Sequence, residues 1–370
     1  MNTKRLALTT LALAAAGGAS AQSSVTLYGI VDAYVQYLDG EDSMTRLQSG
    51  GINGSRLGVR GSEDLGGGLK AIFTLESGIN IDDGTTGQSG VFWGRQAFVG
   101  LGSDFGTLTL GRQYGSVYYL TSDFSAFSNN NTGPSTAVIG GFGAIGAYEP
   151  VRGASLAGNS ATGLGGPARV NNSVKYESPS FSGFKVGGMW GFGEVGDEGD
   201  NRTGDIYARF TSGPFDVMLS YMDDKRQATP AVGTTPAAPE IDAKTYSIGG
   251  AWTISSFRIL GGYLKTKDDT TFGQDGEGWW VGGDYRIGPH LISAQYVQNS
   301  PDQNDSDTKG YGIGYRYDFS KRTAVYTSLT YFDNDNNVVR AAAGVPTKVA
   351  VPVIGDQQVY EFVAGIRHSF

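Results

Sequence analysis

The sequence has no cysteine, two histidines, twelve prolines and, beyond its first residues, no long apolar run. Each shortage excludes something. Without cysteine there is no disulfide scaffold and no thiolate metal site. With only His290 and His368, a histidine-dependent catalytic constellation has few places to form. No later segment approaches the roughly 18 apolar residues of a membrane-crossing helix. A formal net charge of −8 argues against nucleic acid as a partner. The few prolines stand beside 58 glycines and 20 tyrosines. That composition fits many paired strands joined by turns, because proline cannot donate to a sheet ladder.

The first residues read as a secretory signal. Lys4 and Arg5 open it, Leu6 to Ala16 is apolar, and Ala19-Ser20-Ala21 is a small-x-small cleavage site. The expected division is a signal peptide at 1–21 and a mature domain at 22–370. Cleavage removes two positive charges, so the net charge moves from −8 to −10. Two classes remain, a periplasmic or secreted β-protein and an outer-membrane barrel.

The strand pattern separates them. Across Ser24–Leu38, Val25, Leu27, Val31, Ala33, Val35 and Tyr37 fall on one face, and Thr26, Tyr28, Asp32, Tyr34 and Gln36 fall mainly on the other. Period-two alternation of this length marks a strand with one apolar and one wet face. A tilted membrane strand needs about ten residues, whereas a soluble strand averages nearer six. Similar runs begin near Ser55, Leu69, Gly94, Thr107, Arg169, Phe184, Asp205, Phe215, Lys244, Phe257, Trp279, Leu291, Gly310, Thr323 and Val359, and no proline falls inside them. With the first, they make sixteen.

Short connections such as 63–68, 103–106, 212–214 and 288–290 alternate with long polar ones such as 223–243, 267–278 and 333–358. Short turns at one end and long loops at the other define bacterial outer-membrane barrels. The expected fold is therefore all-β: a 16-stranded antiparallel transmembrane β-barrel with short periplasmic turns and long external loops. A barrel of this size encloses an aqueous channel. In the last strand Phe362, Ile366 and Phe370 face lipid, while Glu361 and Arg367 face the lumen.

Residues 114–168 break the pattern. This stretch holds eleven glycines and only three formal charges, Asp123, Glu149 and Arg152. Phe124, Phe127, Ile139, Phe142, Ile145 and Tyr148 give it apolar surface to bury. A structureless segment this long is usually functional. It is expected to fold into the barrel and narrow it.

The segments SVTLYGIVD (24–32), SRLGVRGSEDLGGGLKA (55–71), GTLTLGRQ (106–113), NSVKYESP (172–179), YDFSKRT (317–323) and the terminal Phe370 run the length of the mature chain. In them the chain resembles the general porins of the Gram-negative outer membrane, of the type found in Burkholderia, Bordetella and Neisseria. The resemblance implies a homotrimer in the outer membrane, amid its lipid and lipopolysaccharide. It also implies that the third loop, folded inward, is the constriction, and that small hydrophilic solutes and ions diffuse passively.

The resemblance also places a row of wall arginines against acids on the inward loop. Arg56, Arg112 and Arg169 match the wall positions, and Arg60 follows from Arg56 by parity. Asp123 and Glu149 are the candidate acids. Strict alternation from Leu108 and Leu110 would aim Arg112 at lipid, where it would cost about 2–4 kcal/mol at the midplane. A bulge or strand end must turn it inward. Lys70, Glu76 and Lys175 read as further inward wall charges. Several arginines against so few acids imply a positive eyelet and a weak anion preference.

The alternative within the same class is a substrate-specific channel for sugars or phosphate. Tyr119, Phe124, Phe127 and Tyr148 would then line an aromatic track. A barrel enzyme needs a shielded histidine beside a nucleophile, which neither His290 nor His368 supplies. Gly141–Gly146 satisfies G-x-G-x-x-G but lacks the strand-to-helix context of a dinucleotide site. The aspartates at 305–307 and 333–335 lack calcium-loop spacing. No catalytic residue, cofactor or metal is expected.

Overall fold

The computed structural model describes residues 23–40, 43–127, 132–134, 167–194, 201–227, 240–270, 275–302, 307–335, 340–341, 352–353 and 358–370. The strands are β1 (Ser24–Asp39), β2 (Ser43–Ser49), β3 (Arg56–Gly66), β4 (Leu69–Gly78), β5 (Gln96–Ser103) and β6 (Gly106–Tyr114). After a helix, α1 (Ser116–Asp123), come β7 (Arg169–Glu177), β8 (Phe184–Gly191), β9 (Thr203–Ser212), β10 (Phe215–Arg226), β11 (Ile241–Ile254) and β12 (Phe257–Asp268). The chain continues with β13 (Gly276–Ile287), β14 (His290–Pro301), β15 (Thr308–Asp318) and β16 (Thr323–Asn334). A two-residue pair, β17 (Arg340–Ala341) and β18 (Pro352–Val353), precedes β19 (Gln358–Ser369).

Every barrel pairing is antiparallel, and β1 pairs with β19 from Ile30↔Ser369 to Asp39↔Tyr360, which closes the sheet. Closure leaves no open edge, as a strand structure in lipid requires. Seventeen strands occupy sixteen places, because β2 and β3 pair successively with the two halves of β1. The break between them is held by Asp32. Its carboxylate accepts the N–H groups of Gly51 (3.1 Å), Ile52 (3.0 Å) and Asn53 (2.8 Å) and the Tyr326 hydroxyl (2.5 Å). Backbone donors that lost their ladder partner are thus satisfied by a side chain.

Three sequence expectations need correction. β2 was not foreseen. Pro301 is not outside the strands but ends β14, paired with Gly276. The segment 114–168 is not structureless at its start, since α1 gives it two helical turns.

The two faces follow the period-two pattern. Val31, Val35, Leu101, Leu108, Val217, Ile248, Ile259, Ile313 and Leu329 are exposed on the outside. Their lipid-facing rim is aromatic. Trp279, Tyr296, Tyr311, Tyr331 and Tyr360 form a row across neighbouring strands with ring centroids 4.9–5.9 Å apart. Near the short turns, Phe215 faces Trp252 and Phe257 faces Tyr285. Two such girdles bracket the apolar band of an outer-membrane barrel.

The inner face is polar over most of its area but not everywhere. Met218, Leu260, Leu264, Trp280, Val297, Phe332 and Val359 all point inward and are buried. They are covered by Leu120 of α1 and by Phe124, both 0% exposed. This apolar patch is the seat of the inward segment. Burying a leucine or phenylalanine contributes about 1.5–3 kcal/mol, enough to hold α1 against the wall. Trp280 adds direction by donating its indole N–H to the Phe124 carbonyl at 2.6 Å.

Candidate pore constriction

One inner wall, from β3 to β7, carries the basic residues. Arg56 opens β3 and donates through Nε to the Gly54 carbonyl at 2.8 Å. Glu76, inward on β4, accepts from Arg95 Nε at 2.8 Å, lies 3.7 Å from Arg56 Nη1, and accepts the Tyr28 hydroxyl at 2.9 Å. Arg60 stands over the Tyr28 ring, 5.1 Å from its centroid. Arg95 immediately precedes β5, inside the run read from Gly94, and was not singled out in the sequence. Lys70 shares the face of Glu76 but lies six residues away, about 20 Å along the strand. It is exposed near the 67–68 turn.

Arg112 is turned inward by a β-bulge. The β6–β7 register shifts between Gly111 and Gln113, and Gly111 has φ +134°. Leu108 and Leu110 before it are exposed to the outside, whereas Arg112 is only 9% exposed. Its Nε donates to the Gly94 carbonyl at 2.8 Å, and its guanidinium also bonds the Asn171 side-chain carbonyl. Arg169, at the start of β7, stands over the Tyr114 ring at 4.8 Å and reaches its hydroxyl at 3.4 Å. Lys175 lies over the Tyr119 ring at 4.7 Å and 3.6 Å from Glu177. A cation over an aromatic face gains about 0.5–2 kcal/mol without losing its charge.

Tyr114, Tyr118 and Tyr119 join this wall to α1. Tyr114 and Tyr118 stack at 3.8 Å, and Tyr119 meets both edge-on. Burial raises the Tyr119 pKa above its ordinary value, and Glu177 and the other tyrosines raise it further. Burial and then Tyr114 do the same for Tyr118. Both hydroxyls are therefore neutral at neutral pH.

Asp123 does not face the row of wall arginines that the resemblance implied. It ends α1 on the far side, where its carboxylate pairs with Arg209 at 2.6 Å and its backbone carbonyl accepts from Arg258 at 2.5 Å. Arg209 also forks onto Asp216, at 2.5 and 2.8 Å. Further round, Arg286 and Arg316 share Asp318 at 2.9 and 3.0 Å. Arg209, Arg258, Arg286, Asp216, Asp284 and Asp318 were not singled out in the sequence. Their signal was there: opposite charges at inward parity on neighbouring strands. Arginine on this wall is matched by carboxylate. On the β3–β7 wall the basic residues stand closer together, and Arg56 and Arg95 share Glu76 while Lys175 lies beside Glu177.

Of the remaining candidates, Glu149 and Gly141–Gly146 lie outside the described residues. The suggested aromatic track is not formed by Phe124 and Phe127, which are 0% and 8% exposed and packed on the wall. His290 bonds the Tyr315 hydroxyl at 2.8 Å and His368 bonds Thr323 at 2.9 Å, both in exposed positions. Phe362, Ile366 and Phe370 project outward along β19, 44–52% exposed. The backbone of Phe370 exchanges both hydrogen bonds with Gly29, at 3.1 and 3.2 Å.

A closed sixteen-place barrel with an apolar outside, a charged inside and a segment packed across its wall is a bacterial outer-membrane channel. The model of the Gram-negative porin family matches residues 7–337, and the chain belongs to that family. Outer membrane porin protein 32 of Delftia acidovorans is 31% identical over 97% of both chains. Major outer membrane protein P.IB of Neisseria gonorrhoeae is 29% identical over 93% of this chain and 98% of its own. Among solved structures, an anion-selective porin from Comamonas acidovorans superposes with a TM-score of 0.78 at 28% identity, covering 94% of this chain and all of that one. A trimer form of OmpT from Vibrio cholerae shares the fold, with a TM-score of 0.64 at 18% identity. The protein is a passive diffusion channel of the outer membrane.

Proposed function

We propose that the channel is weakly anion-preferring. The observation that carries this reading is the basic wall: Arg56, Arg60, Arg95, Arg112, Arg169 and Lys175 stand together from β3 to β7, where Arg56 and Arg95 share the single carboxylate of Glu76, opposite a wall where Arg209 and Arg286 each meet an aspartate. The positive side chains line the place where α1 and the tyrosines narrow the lumen, and a local ring of charge sets selectivity there. The similar Comamonas structure is described as anion-selective, which supports the same sign.

In this reading 114–168 is the constriction loop, residues 1–21 are removed on export, and three copies assemble amid outer-membrane lipid and lipopolysaccharide. Arg56, Arg60, Arg112 and Arg169 act as the screen, with Asp123 as the clasp of α1. Glu149 is a candidate acid of the same loop. Lys70, Glu76 and Lys175 tune the wall, and the terminal strand with Phe362, Ile366 and Phe370 seals the barrel during assembly. No bond is made or broken in transit, and no cofactor is used.

Purified protein in a planar bilayer under a tenfold KCl gradient tests the reading. The expected result is conductance in steps of three with a reversal potential on the chloride side. A potential on the potassium side would overturn the anion preference, and single unpaired steps would overturn the trimer.

A further inference from the structure

Three glycines face inward in a row on β15: Gly310, Gly312 and Gly314. They alternate with Tyr311, Ile313 and Tyr315, whose side chains are exposed outward. None of the three has positive φ, so the backbone conformation does not require glycine. Glycine inside a strand weakens it, and its presence signals a close approach. Here the approaching groups belong to the inward loop. A Cβ built on Gly312 would stand 2.5 Å from Pro134 Cδ and 3.4 Å from Phe127 Cε2. On Gly314 it would be 2.8 Å from Phe127 Cε1, and on Gly310 it would be 2.9 Å from Val297 Cγ2 of the wall and 3.0 Å from Pro134 Cβ. Carbon atoms rest about 3.5–4.0 Å apart.

Neither loop residue can easily step aside. The Pro134 ring is fused to its backbone. Gly133 lies close against Phe127, where a Cβ would come within 2.3 Å of the ring. Polar ties fix the same stretch. The Gln295 side-chain carbonyl accepts from the Ala126 N–H (2.9 Å) and the Ser125 hydroxyl (3.1 Å). Thr132 donates to the Gly51 carbonyl at 3.2 Å, and the Gly133 N–H donates to Glu361 Oε2 at 3.4 Å. The glycine groove is a seat cut into the wall to the depth of a proline and a phenyl ring.

We infer that Gly312 is a positioning residue for diffusion: it sets how far the inward loop stands off the wall, and so the width of the passage. This rests on the reading of 114–168 as the constriction loop. The test is the series Gly312→Ala, Gly312→Val and Gly312→Leu in the full protein. Single-channel conductance and liposome swelling with neutral sugars of increasing size are the readouts. Conductance is expected to fall stepwise with side-chain size, to about half for leucine, and the largest sugars should be lost first. In the Gly312→Ala background, Pro134→Ala removes the clashing ring atoms and should restore conductance. Folded variants with unchanged conductance across the series overturn the inference. So does a loss that Pro134→Ala does not relieve, because that loss would be structural.

A separate arm tests the underlying reading. The chain has no cysteine, so Tyr118→Cys on α1 can be labelled cleanly with a bulky thiol reagent. A labelled channel that conducts normally would show that the loop is not the constriction. A labelled channel that is blocked, beside a flat Gly312 series, would overturn the seat alone.

Discussion

Replacing Arg56 and Arg169 by glutamine should lower the chloride-to-potassium permeability ratio by close to an order of magnitude at moderate salt. The magnitude follows from the position of these charges at a water-filled passage. An ion passing about 7 Å from a guanidinium in water feels about 0.6 kcal/mol, and about half of that after screening at 0.1 M salt. Chloride gains this and potassium loses it, so each arginine shifts the ratio by about threefold. Arg56 donates to the Gly54 carbonyl and shares Glu76 with Arg95, and Arg169 reaches the Tyr114 hydroxyl. Glutamine keeps much of the volume and removes only the charge. The assay is the zero-current potential under a KCl gradient, with trimer integrity checked by heat-modifiable gel mobility. A double variant that stays folded, conducts normally and keeps the wild-type ratio would refute the claim that this wall governs selectivity.

Three further outcomes are expected. Glu76→Gln strips the carboxylate that Arg56 and Arg95 share. It should raise the chloride preference and destabilise the barrel by about 3–5 kcal/mol, read as a lower denaturant midpoint; an unchanged midpoint would show that water already screens the pair. Gly111→Ala puts a Cβ 2.1 Å from the Ala97 carbonyl at φ +134°. It should cost at least about 1–3 kcal/mol and reduce refolding yield in detergent, whereas a wild-type yield would mean that the bulge is not fixed by this glycine. Asp123→Asn loosens α1 from Arg209. The pair is partly exposed, so about 1 kcal/mol or less is at stake, and the expected sign is more frequent current fluctuation in single-channel records rather than unfolding.

The barrel is legible in the sequence because its two faces meet different solvents. Val31, Leu108 and Ile313 meet lipid, Asp32, Thr109 and Arg169 meet the lumen, and a period of two records the choice residue by residue. Arg112 was legible as a conflict: the pattern aimed a charge at lipid, and a bulge at Gly111 resolves it. The break between β2 and β3 was not legible. It depends on Asp32 reaching residues 19 to 21 positions ahead and a tyrosine 294 positions away. The partner of Asp123 was not legible either, since which wall α1 rests on is a tertiary fact. Yet the wall itself carried a hint. Met218, Leu260, Leu264, Trp280 and Val297 are apolar at inward parity, where water should favour polar residues, and that anomaly marks the seat of the loop.

A chain with a formal net charge of −8 can still prefer anions, because distance decides which charges an ion feels. Most of the acids not on the lumen wall lie toward the long-loop end: Asp223, Asp242, Asp269, Glu277, Asp302, Asp307 and Asp335. Several are paired with lysine or arginine, as Asp223 is with Arg202, Asp242 with Lys225 and Asp269 with Lys244. At 0.1 M salt the screening length is about 10 Å, so an ion at the basic wall is shielded from this mouth. At 0.01 M it is about 30 Å, and the acidic mouth then reaches into the passage and opposes the wall. At 1 M it is about 3 Å, and the wall itself fades. The chloride preference should therefore peak at intermediate salt rather than rise steadily on dilution. Reversal potentials measured at a fixed concentration ratio, from 0.01 to 1 M KCl, decide the point. A preference that grows monotonically as salt falls would mean that the mouth carries no effective negative charge, and that the acids of the long loops are neutralised where they stand.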